Sequence, residues 1–380
     1  MNAVAVTGTR TGSPRATPVA LATPVPARLA LLGTGTVGTA VLRRLEQWVD
    51  TPFGARLSLV HVANSRHATS AVLGLTPREV PRLLQSHPQS SRLDGLPAAL
   101  RGVGVQVVID ATASPAVAER HAEWLAQGIH VVTACKLGQG TDLARWRRIR
   151  AACVRGGTTY GDSATVGAGL PLLRSIRDLQ AGGDRIHAIA GVLSGSLAWL
   201  FNHYDGLRPF SGFVREARDA GYTEPDPRED LSGEDARRKI LVLARSAGVE
   251  LDSNEVEVES LVPASLADCD RDDVDGALTH LDTALRERFA TARKDGRRLR
   301  FIARLENIRD GKGDARVGLE ALSEDHPLAG GAGTDNKVAI WSDRYREQPL
   351  VIQGPGAGAE VTAAGLLDDV LRIVGGFSTR

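Results

Sequence analysis

Hydrophobic and polar positions alternate in a regular way over the first half of the chain. Short apolar runs that end in glycine or a small polar residue are separated by stretches with apolar residues three or four positions apart. The first pattern is typical of buried parallel strands and the second of amphipathic helices. We expect strands at residues 29–32, 57–63, 105–109 and 129–132, and helices at 36–48 and 115–127. This order predicts an α/β fold with a doubly wound parallel sheet over residues 28–160.

The pattern changes after residue 160. Strands are expected at residues 186–193, 298–304 and 315–322, one strong helix is expected to end near residue 247, and a last helix is expected at 361–374. This mixture predicts an α+β domain over residues 161–340 and a separate C-terminal segment, 341–380. Residues 1–27 are rich in threonine, alanine and proline and contain no acid, which predicts a disordered tail.

Composition excludes several classes of protein. Lys and Arg number 46 and Asp and Glu number 45 in 380 residues, so the net charge of +1 gives no field for nucleic acid or an anionic membrane. The apolar runs are too short for a transmembrane helix. Three cysteines without metal-ligand spacing argue against a disulfide framework and favour the cytoplasm. Only five of the 46 cations are lysines, so each lysine is a candidate for chemistry that arginine cannot perform.

A glycine-rich turn follows the first predicted strand and opens the first predicted helix. It reads Gly33-Thr-Gly35-Thr36-Val37-Gly38, which is the G-x-G-x-x-G pattern of dinucleotide-binding domains. The glycines allow a tight turn, close backbone approach to a pyrophosphate and close packing of helix on strand. The alternative is a glycine-rich turn that binds no ligand. The strand–turn–helix context favours a Rossmann-type cofactor domain.

The end of the second strand is where such domains contact the ribose. A carboxylate there would bind the 2′-hydroxyl of NAD, but this chain has Asn64, Ser65 and Arg66. An arginine with small polar neighbours suits a 2′-phosphate. We therefore expect NADP(H) to be preferred, with NAD(H) possible; alternatively, Arg66 is an ordinary surface residue.

An acidic stretch at residues 224–235 precedes the strong helix and holds six carboxylates and one cation. It can be read as an exposed acidic loop, or as a capping box of Ser232 and Asp235 with an i,i+4 pair between Asp235 and Lys239. However, four apolar residues follow Lys239 directly, so its ammonium group should be partly buried. Burial lowers the pKa of a lysine, and such a lysine beside a carboxylate can exchange a proton with a substrate hydroxyl.

The same stretch carries a resemblance to a known family. From Ala217 to Lys239 the chain reads Ala-Arg-Asp-Ala-Gly-Tyr-Thr-Glu-Pro-Asp-Pro-Arg-Glu-Asp-Leu-Ser-Gly-Glu-Asp-Ala-Arg-Arg-Lys, which resembles the homoserine dehydrogenase signature. The resemblance extends from about residue 29 to 374 and looks closest to the dehydrogenase portion of the fused aspartokinase–homoserine dehydrogenases. It implies reversible NAD(P)-linked reduction of aspartate 4-semialdehyde to homoserine, a step toward threonine, methionine and isoleucine. We expect a monofunctional enzyme without a kinase or ACT region.

The resemblance also implies roles for individual residues. Lys136 and Lys239 match the lysines that hold the substrate and handle the proton, and Asp235 matches the carboxylate beside the substrate hydroxyl. Glu224 matches the acid that binds the substrate amine. The other expected substrate-binding residues are Asp230, Tyr222 and Ser196. The expected cofactor-binding residues are Gly33, Gly35, Thr36, Val37, Gly38, Asn64, Ser65, Arg66, Thr112, Ser114, Lys136, Gly356 and Glu360, the last two in a segment that returns to the cofactor domain.

Two departures from the family pattern change these expectations. Cys135 stands where many members have asparagine before the first lysine, which puts a cofactor contact in doubt; a small buried hydrophobe is the alternative to a reactive thiol. Some members bind a sodium-type ion through backbone carbonyls plus an acid, and here the position of the acid falls on Ser163, beside Asp162. The carbonyls of Val166 and Ala168 could still serve such an ion.

The family further implies a homodimer or homotetramer that forms through the middle of the chain, with a small-molecule substrate and no nucleic-acid or membrane partner. Two other functions are compatible with the sequence. One is a dehydrogenase of another small amino or hydroxy acid, and the other is a non-catalytic NADP-sensing or scaffold protein. The combination of Lys136, Asp235 and Lys239 favours the homoserine dehydrogenase.

Overall fold

The computed structural model describes residues 25–86 and 89–375 and contains two β-sheets. The strands of the first sheet are β1 (Ala27–Leu32), β2 (Leu57–Ala63), β3 (His67–Ser70), β4 (Gln89–Ser90), β5 (Gln106–Asp110), β6 (His130–Thr133) and β7 (Tyr160–Gly161). Their order is β4-β3-β2-β1-β5-β6-β7. The five strands β2, β1, β5, β6 and β7 are parallel to one another, whereas β3 pairs antiparallel with β2, and β4 pairs antiparallel with β3. The predicted doubly wound sheet is confirmed. Of the predicted tail, residues 1–24 lie outside the described residues.

Helices cover both faces of this sheet. They are α1 (Thr36–Gln47), α2 (Val80–Ser86), α3 (Leu96–Leu100), α4 (Pro115–Ala126) and α5 (Leu143–Gly156). Successive side chains of β1 point to opposite faces, so Leu29 and Leu31 belong to one apolar cluster and Ala30 and Leu32 to another. Burial on both faces explains why the central strands are apolar throughout. Polar side chains are therefore concentrated where these strands end.

The second sheet has six strands and is mainly antiparallel. They are β8 (Ile186–Val192), β9 (Val256–Val258), β10 (Arg297–Arg309), β11 (Lys312–Ser323), β12 (Asn336–Ser342) and β13 (Leu350–Gly354), in the order β13-β12-β8-β10-β11-β9. The accompanying helices are α6 (Leu172–Ala181), α7 (Gly195–His203), α8 (Phe210–Asp219), α9 (Arg228–Leu231), α10 (Glu234–Ser246), α11 (Ala264–Ala267), α12 (Val274–Ala277) and α13 (Asp282–Lys294). β12 runs through residue 340, where we had placed a domain boundary.

The last helix, α14 (Ala359–Gly375), packs back on the first sheet. Its residues Ala363, Leu366 and Leu367 share an apolar cluster with Val41 of α1. The chain thus leaves the first sheet near residue 161, builds the second sheet and then returns, which ties the two layers together. None of the helices in the described ranges combines the length and apolar character needed to cross a bilayer.

The start of α10 corrects the predicted capping box. The residue before the helix is Gly233, at φ +79°, and not Ser232. The Ser232 hydroxyl instead donates to the carbonyl oxygen of Glu229 and accepts the N–H of Glu234. The capping box was wrong because the left-handed glycine inserts one more residue before the helix begins. As a result, the Asp235 side chain does not cap the helix. It lines a cleft between the two sheets, which is described below.

Candidate active site

A cleft of about 1100 Å³ opens between the two sheets. Its first wall consists of the residues that follow β5 and β6, together with Val37 of α1. Its second wall consists of the segment after β8, the acidic stretch and the start of α10. The turn before α14 closes one side. The carboxyl ends of parallel strands and a helix N-terminus therefore face the same space, which is where α/β folds of this type bind ligands.

Lys239 lies in the second turn of α10 and is 8% exposed. Its Nζ donates to Asp235 Oδ2 at 2.7 Å and to the carbonyl oxygen of Leu193 at 2.7 Å. Burial lowers the pKa of Lys239, and the Asp235 carboxylate opposes that change. The predicted i,i+4 pair is present, and the ammonium group faces the cleft rather than open solvent.

Lys136 brings a second ammonium group from the first sheet. It follows β6 in a single turn of 3-10 helix at Lys136–Gly138, and its Nζ lies 3.3 Å from Asp235 Oδ1. Asp235 therefore bridges Lys136, which follows a strand of the first sheet, and Lys239, which lies on a helix that accompanies the second sheet. Burial would raise the pKa of the Asp235 carboxyl, but the charges of Lys239 and Lys136 outweigh it and lower that pKa to about 2. The site holds an ionised carboxylate between two cations.

The acidic stretch supplies a second group of polar side chains around Asp230. Its Oδ1 accepts the Ser196 hydroxyl at 2.7 Å, and its Oδ2 accepts the backbone N–H of Glu224 at 2.8 Å. Asp230 thus fixes the loop that carries Glu224, whose own side chain is exposed at the cleft. Tyr222 lines the same cleft and packs on Trp199 with ring centroids 5.5 Å apart. All four predicted substrate-binding residues lie together.

The predicted cofactor loop lies at the end of β1. Of its residues, Val37 lines the cleft, Gly35 and Thr36 are exposed, and a Cβ at Gly38 would meet the Gly33 carbonyl oxygen at 1.9 Å. The close packing of helix on strand thus requires glycine at position 38. Gly33 itself has φ +96°, a conformation that favours glycine.

At the end of β2, the predicted ribose contacts adopt a local turn. Asn64 Oδ1 accepts the backbone N–H groups of Arg66 and His67 at 2.9 and 2.8 Å. Asn64 is thereby used to shape the turn, and it leaves Ser65 and Arg66 exposed beside the glycine loop. Its Nδ2 also reaches the Thr34 hydroxyl at 3.4 Å, which links the two loops.

The remaining cofactor predictions separate into two groups. Thr112 and Gly356 line the cleft, and the Ser114 hydroxyl caps α4 by accepting the N–H of Val117. Glu360, in contrast, is at the first turn of α14, where it pairs with Arg43 of α1 at 2.5 Å. The Glu360 side chain therefore links α14 to α1, a helix that packs on the first sheet.

Cys135 and the residues expected around a cation have partners within the protein. Cys135 is buried, its N–H donates to the Thr133 hydroxyl at 2.8 Å, and burial raises the pKa of its thiol to about 11. Such a thiol behaves as a small hydrophobe. Ser163 donates to Asp369 at 2.8 Å. Both oxygens of Asp162 accept hydrogen bonds from Arg177, at 2.7 and 2.5 Å, so this acid is already neutralised.

Sequence reasoning missed several buried polar residues that support the site, among them Asp110 and Asn336. Asp110 is fully buried at the end of β5, and Asn336 Nδ2 donates at 2.9 Å to the same Leu193 carbonyl oxygen that Lys239 binds. A carboxylate directly after the apolar residues 107–109 was a visible signal for Asp110, because a charge at that depth needs partners. Nothing in the local sequence indicated the role of Asn336.

Comparisons with known proteins agree with this geometry. Residues 33–160 match the family model for the NAD-binding domain of homoserine dehydrogenase, and residues 171–371 match the homoserine dehydrogenase model. The homoserine dehydrogenase of Emericella nidulans is 34% identical over 92% of this chain and 98% of its own length. Bifunctional aspartokinase/homoserine dehydrogenase 2 of Escherichia coli is 38% identical over 91% of this chain and 43% of its own length.

A crystal structure of a Candida auris protein of unknown function has a TM-score of 0.84 and 32% identity, and the match covers 92% of this chain and 99% of that one. The chain spans about two fifths of the length of the bifunctional relatives that it matches. The matched models together include both walls of the cleft, and the match to the fungal enzyme extends over nearly its whole length. This chain therefore belongs to the homoserine dehydrogenase family.

Proposed function

We propose that this protein catalyses the reversible, nicotinamide-dependent interconversion of homoserine and aspartate 4-semialdehyde. The observation that carries the proposal is the Lys136–Asp235–Lys239 cluster, which lies in one cleft with the glycine-rich turn and the acidic loop. The turn at Gly33–Gly38 suits a pyrophosphate, because Gly35 is exposed with open space around it and α1 begins there. The nicotinamide, when bound, supplies or accepts the hydride.

Lys239 is the proton donor and acceptor in this proposal. An ammonium group has three protons, and in the described structure two of them are directed to Asp235 and to the Leu193 carbonyl oxygen. The third is left for a ligand in the cleft. In the reductive direction it protonates the carbonyl oxygen as hydride adds to the carbonyl carbon, and the product is an alcohol. In the oxidative direction neutral Lys239 accepts the hydroxyl proton.

The substrate's charged ends are held by groups of opposite sign. Glu224, exposed at the cleft with its backbone fixed by Asp230, binds the ammonium group, and Lys136 attracts the carboxylate. Asp235 keeps Lys136 and Lys239 next to each other, 3.3 and 2.7 Å from its two oxygens. This arrangement fixes the reacting carbon relative to the proton donor, which lowers the entropic part of the barrier.

The proposal is tested by initial-rate kinetics with the purified protein, homoserine and each cofactor in turn. We expect turnover with homoserine and with aspartate 4-semialdehyde. A panel of other small amino and hydroxy acids completes the experiment. Higher kcat/KM for any of them would replace the proposed substrate, and tight cofactor binding without turnover of any would exclude the enzymatic function.

We further propose that the protein prefers NADP(H) to NAD(H) because Arg66 is exposed beside the glycine loop, where a 2′-phosphate would lie. Arg66→Ala should lower selectivity for NADP over NAD by about 10–100-fold, the value of a charged hydrogen bond. Arg101→Ala, which also removes an exposed arginine of the same layer, is the control. The ratio of kcat/KM values for the two cofactors is the measurement. An unchanged ratio in Arg66→Ala would contradict the assignment.

The pH dependence of homoserine oxidation follows from the pKa of Lys239, which burial lowers and Asp235 raises. Oxidation requires neutral Lys239, so kcat/KM should increase with pH until the lysine is deprotonated. Asp235→Asn removes the group that raises this pKa, so the ascending limb should move to lower pH, whatever the maximal rate. Profiles of both proteins over about pH 6–10 measure the shift. The assignment of Lys239 would be contradicted by an ascending limb that moves to higher pH in Asp235→Asn. It would also be contradicted by a wild-type profile that has no ascending limb.

The monovalent cation at the carbonyls of Val166 and Ala168 stays a prediction that the site supports poorly. Its nearby acid, Asp162, is held by Arg177 through both oxygens. No step above uses a cation. We expect equal rates in sodium chloride and choline chloride at matched ionic strength, and a marked sodium dependence would restore the site.

We also propose that the protein is a homodimer or homotetramer in the cytoplasm. The support for this assembly is the resemblance of the chain to the homoserine dehydrogenase family, which implies a homo-oligomer formed through the middle of the chain. Sedimentation velocity measures the mass, and a monomer at micromolar concentration would exclude the assembly.

A further inference from the structure

Asp110 is the centre of a buried hydrogen-bond network beneath the cleft. It is the last residue of β5, between β1 and β6, and it is 0% exposed. Its Oδ1 accepts the N–H and the hydroxyl of Thr112, at 2.9 and 2.6 Å. Its Oδ2 lies 3.0 Å from the Thr133 hydroxyl and 3.0 Å from His121 Nε2. Four donors around one carboxylate compensate the cost of burying its charge.

Through these contacts Asp110 reaches both strand-end segments that form the first wall of the cleft. Thr112 lines the cleft and accepts the N–H of Ser114 at 3.2 Å. The Thr133 hydroxyl donates to Asp110 and accepts the N–H of Cys135, the residue before Lys136. The position of Lys136 is therefore connected to Asp110 by two hydrogen bonds and one residue of chain.

His121 extends the network to the other side of the Lys136 segment. It is 0% exposed on α4, and its Nδ1 lies 3.0 Å from the Tyr160 hydroxyl. That hydroxyl fills the space next to Gly138, where a Cβ would lie 2.1 Å from its oxygen. Burial and the nearby carboxylates keep the pKa of Tyr160 well above its ordinary value, so its O–H remains a donor. The histidine tautomer with its proton on Nε2 satisfies all of these groups. In that tautomer Nε2 donates to Asp110, and Nδ1 accepts the hydrogen bond from the Tyr160 hydroxyl.

We propose that Asp110 and His121 are positioning residues that hold the 133–138 segment, and with it the Lys136 ammonium group, at the distance from Asp235 that the reaction needs. Two hydrogen bonds fix the segment. The Thr133 hydroxyl donates to Asp110 at its start, and the Tyr160 hydroxyl, which is held by His121, lies against Gly138 at its end. Neither residue is among those that line the cleft, so they act through Lys136 and Thr112 rather than on the substrate. The inference rests on the proposed function only for its kinetic consequence.

Cys135 provides a readout that needs no turnover. It lies next to Lys136, is buried and has a raised pKa, so its thiol should react slowly with iodoacetamide while the segment is held in place. In a Cys153→Ser/Cys269→Ser background, mass spectrometry follows alkylation of Cys135 alone. His121→Met removes both hydrogen bonds, whereas His121→Gln keeps a donor and an acceptor. His61→Met is the matched control, since His61 is a buried histidine on β2, bonded to Ser70 at 2.8 Å.

We expect His121→Met to raise the alkylation rate at least about tenfold and to lower kcat/KM for homoserine by about 100-fold, mainly through KM, as expected for a misplaced binding group. His121→Gln should stay within about threefold of the wild type in both, because it keeps the pattern of donor and acceptor. His61→Met should leave both unchanged even where it lowers the melting temperature. If His121→Met is not soluble, Tyr160→Phe, which removes a single hydroxyl, decides the outcome through the same two measurements.

Wild-type alkylation rates in both His121→Met and Tyr160→Phe would overturn the positioning role. Equal effects of His61→Met and His121→Met would also overturn it, because they would indicate general destabilisation. A wild-type protein that fails to oxidise homoserine would remove the proposed function, but the alkylation rates would still decide whether the hydrogen bonds of His121 to Asp110 and Tyr160 hold the segment.

Discussion

Replacing Lys239 by methionine should lower kcat for homoserine oxidation by about 10²–10⁴-fold, the usual contribution of a positioned proton donor or acceptor. Methionine keeps an apolar stem in the buried second turn of α10 but cannot carry a proton. Cofactor binding should be retained, because the glycine turn lies on the other wall of the cleft. The measurement is a pair of values: the cofactor dissociation constant from nucleotide fluorescence, and kcat at saturating homoserine.

The fold should tolerate this substitution because both partners of the Lys239 ammonium group keep another donor. The Leu193 carbonyl oxygen still accepts from Asn336 at 2.9 Å, and Asp235 still pairs with Lys136 at 3.3 Å. The loss of activity can therefore be separated from unfolding. Lys294→Met, at the exposed end of α13, is the control for loss of a lysine. Near-normal kcat in folded Lys239→Met would show that proton transfer is performed by another group.

The first layer of the fold could be predicted from the sequence because its signals are local. Apolar strands and amphipathic helices have different periods, and the G-x-G-x-x-G turn marks where one gives way to the other. The predicted 57–63 strand coincides with β2, and the predicted helix from residue 36 begins at the same residue as α1. β3 and β4, at one edge of the first sheet, were not predicted. Segments of four and two residues are too short to show the alternation of apolar and polar positions that identifies a strand.

The second layer was predicted less completely because its elements depend on contacts distant in sequence. Between residues 252 and 330 we expected the strands 298–304 and 315–322, yet this range also includes the thirteen-residue helix α13. Leu285, Phe289 and Ala292 do lie at helical spacing there, so this helix had a local signal that sequence reasoning missed. β12 pairs with β13 on one side and with β8, about 150 residues earlier, on the other, and the pairing with β8 leaves no local signature. Tertiary pairing rather than local propensity decides these segments.

The site shows the same division. The Asp235–Lys239 pair could be predicted because four residues separate two neighbours on a helix face. The approach of Lys136, 99 positions before Asp235, came only from the family resemblance. The supporting residues Asp110, His121 and Asn336 act across strands and helices, so no spacing in the sequence relates them. The residues that line the cleft could be recognised in the sequence from motifs. The residues that hold them in place could be identified only from their contacts in the folded structure.

Gly38→Ala should reduce both stability and cofactor affinity strongly. The new Cβ would lie 1.9 Å from the Gly33 carbonyl oxygen and 2.7 Å from its carbonyl carbon. Gly33 cannot move away easily, because the Ala111 carbonyl oxygen lies close to it, 2.8 Å from where a Gly33 Cβ would be, and because it adopts φ +96°. We expect a loss of about 1–3 kcal/mol or more in the free energy of unfolding, as for other overpacked sites. Displacement of the turn should weaken cofactor binding at least about tenfold.

Gly35→Ala separates the two effects within the same turn. A Cβ at Gly35 would have no atom of the described structure within 4 Å, and its φ of −72° is open to any residue. The melting temperature should therefore stay at the wild-type value. If the turn binds a pyrophosphate through close backbone approach, the added methyl group should still lower cofactor affinity by about tenfold or more. Thermal denaturation and fluorescence titration with NADPH and NADH measure the two quantities. Wild-type affinity in Gly35→Ala would mean that the cofactor does not lie on this turn, because only a bound phosphate group would make the space next to Gly35 unavailable to a methyl group.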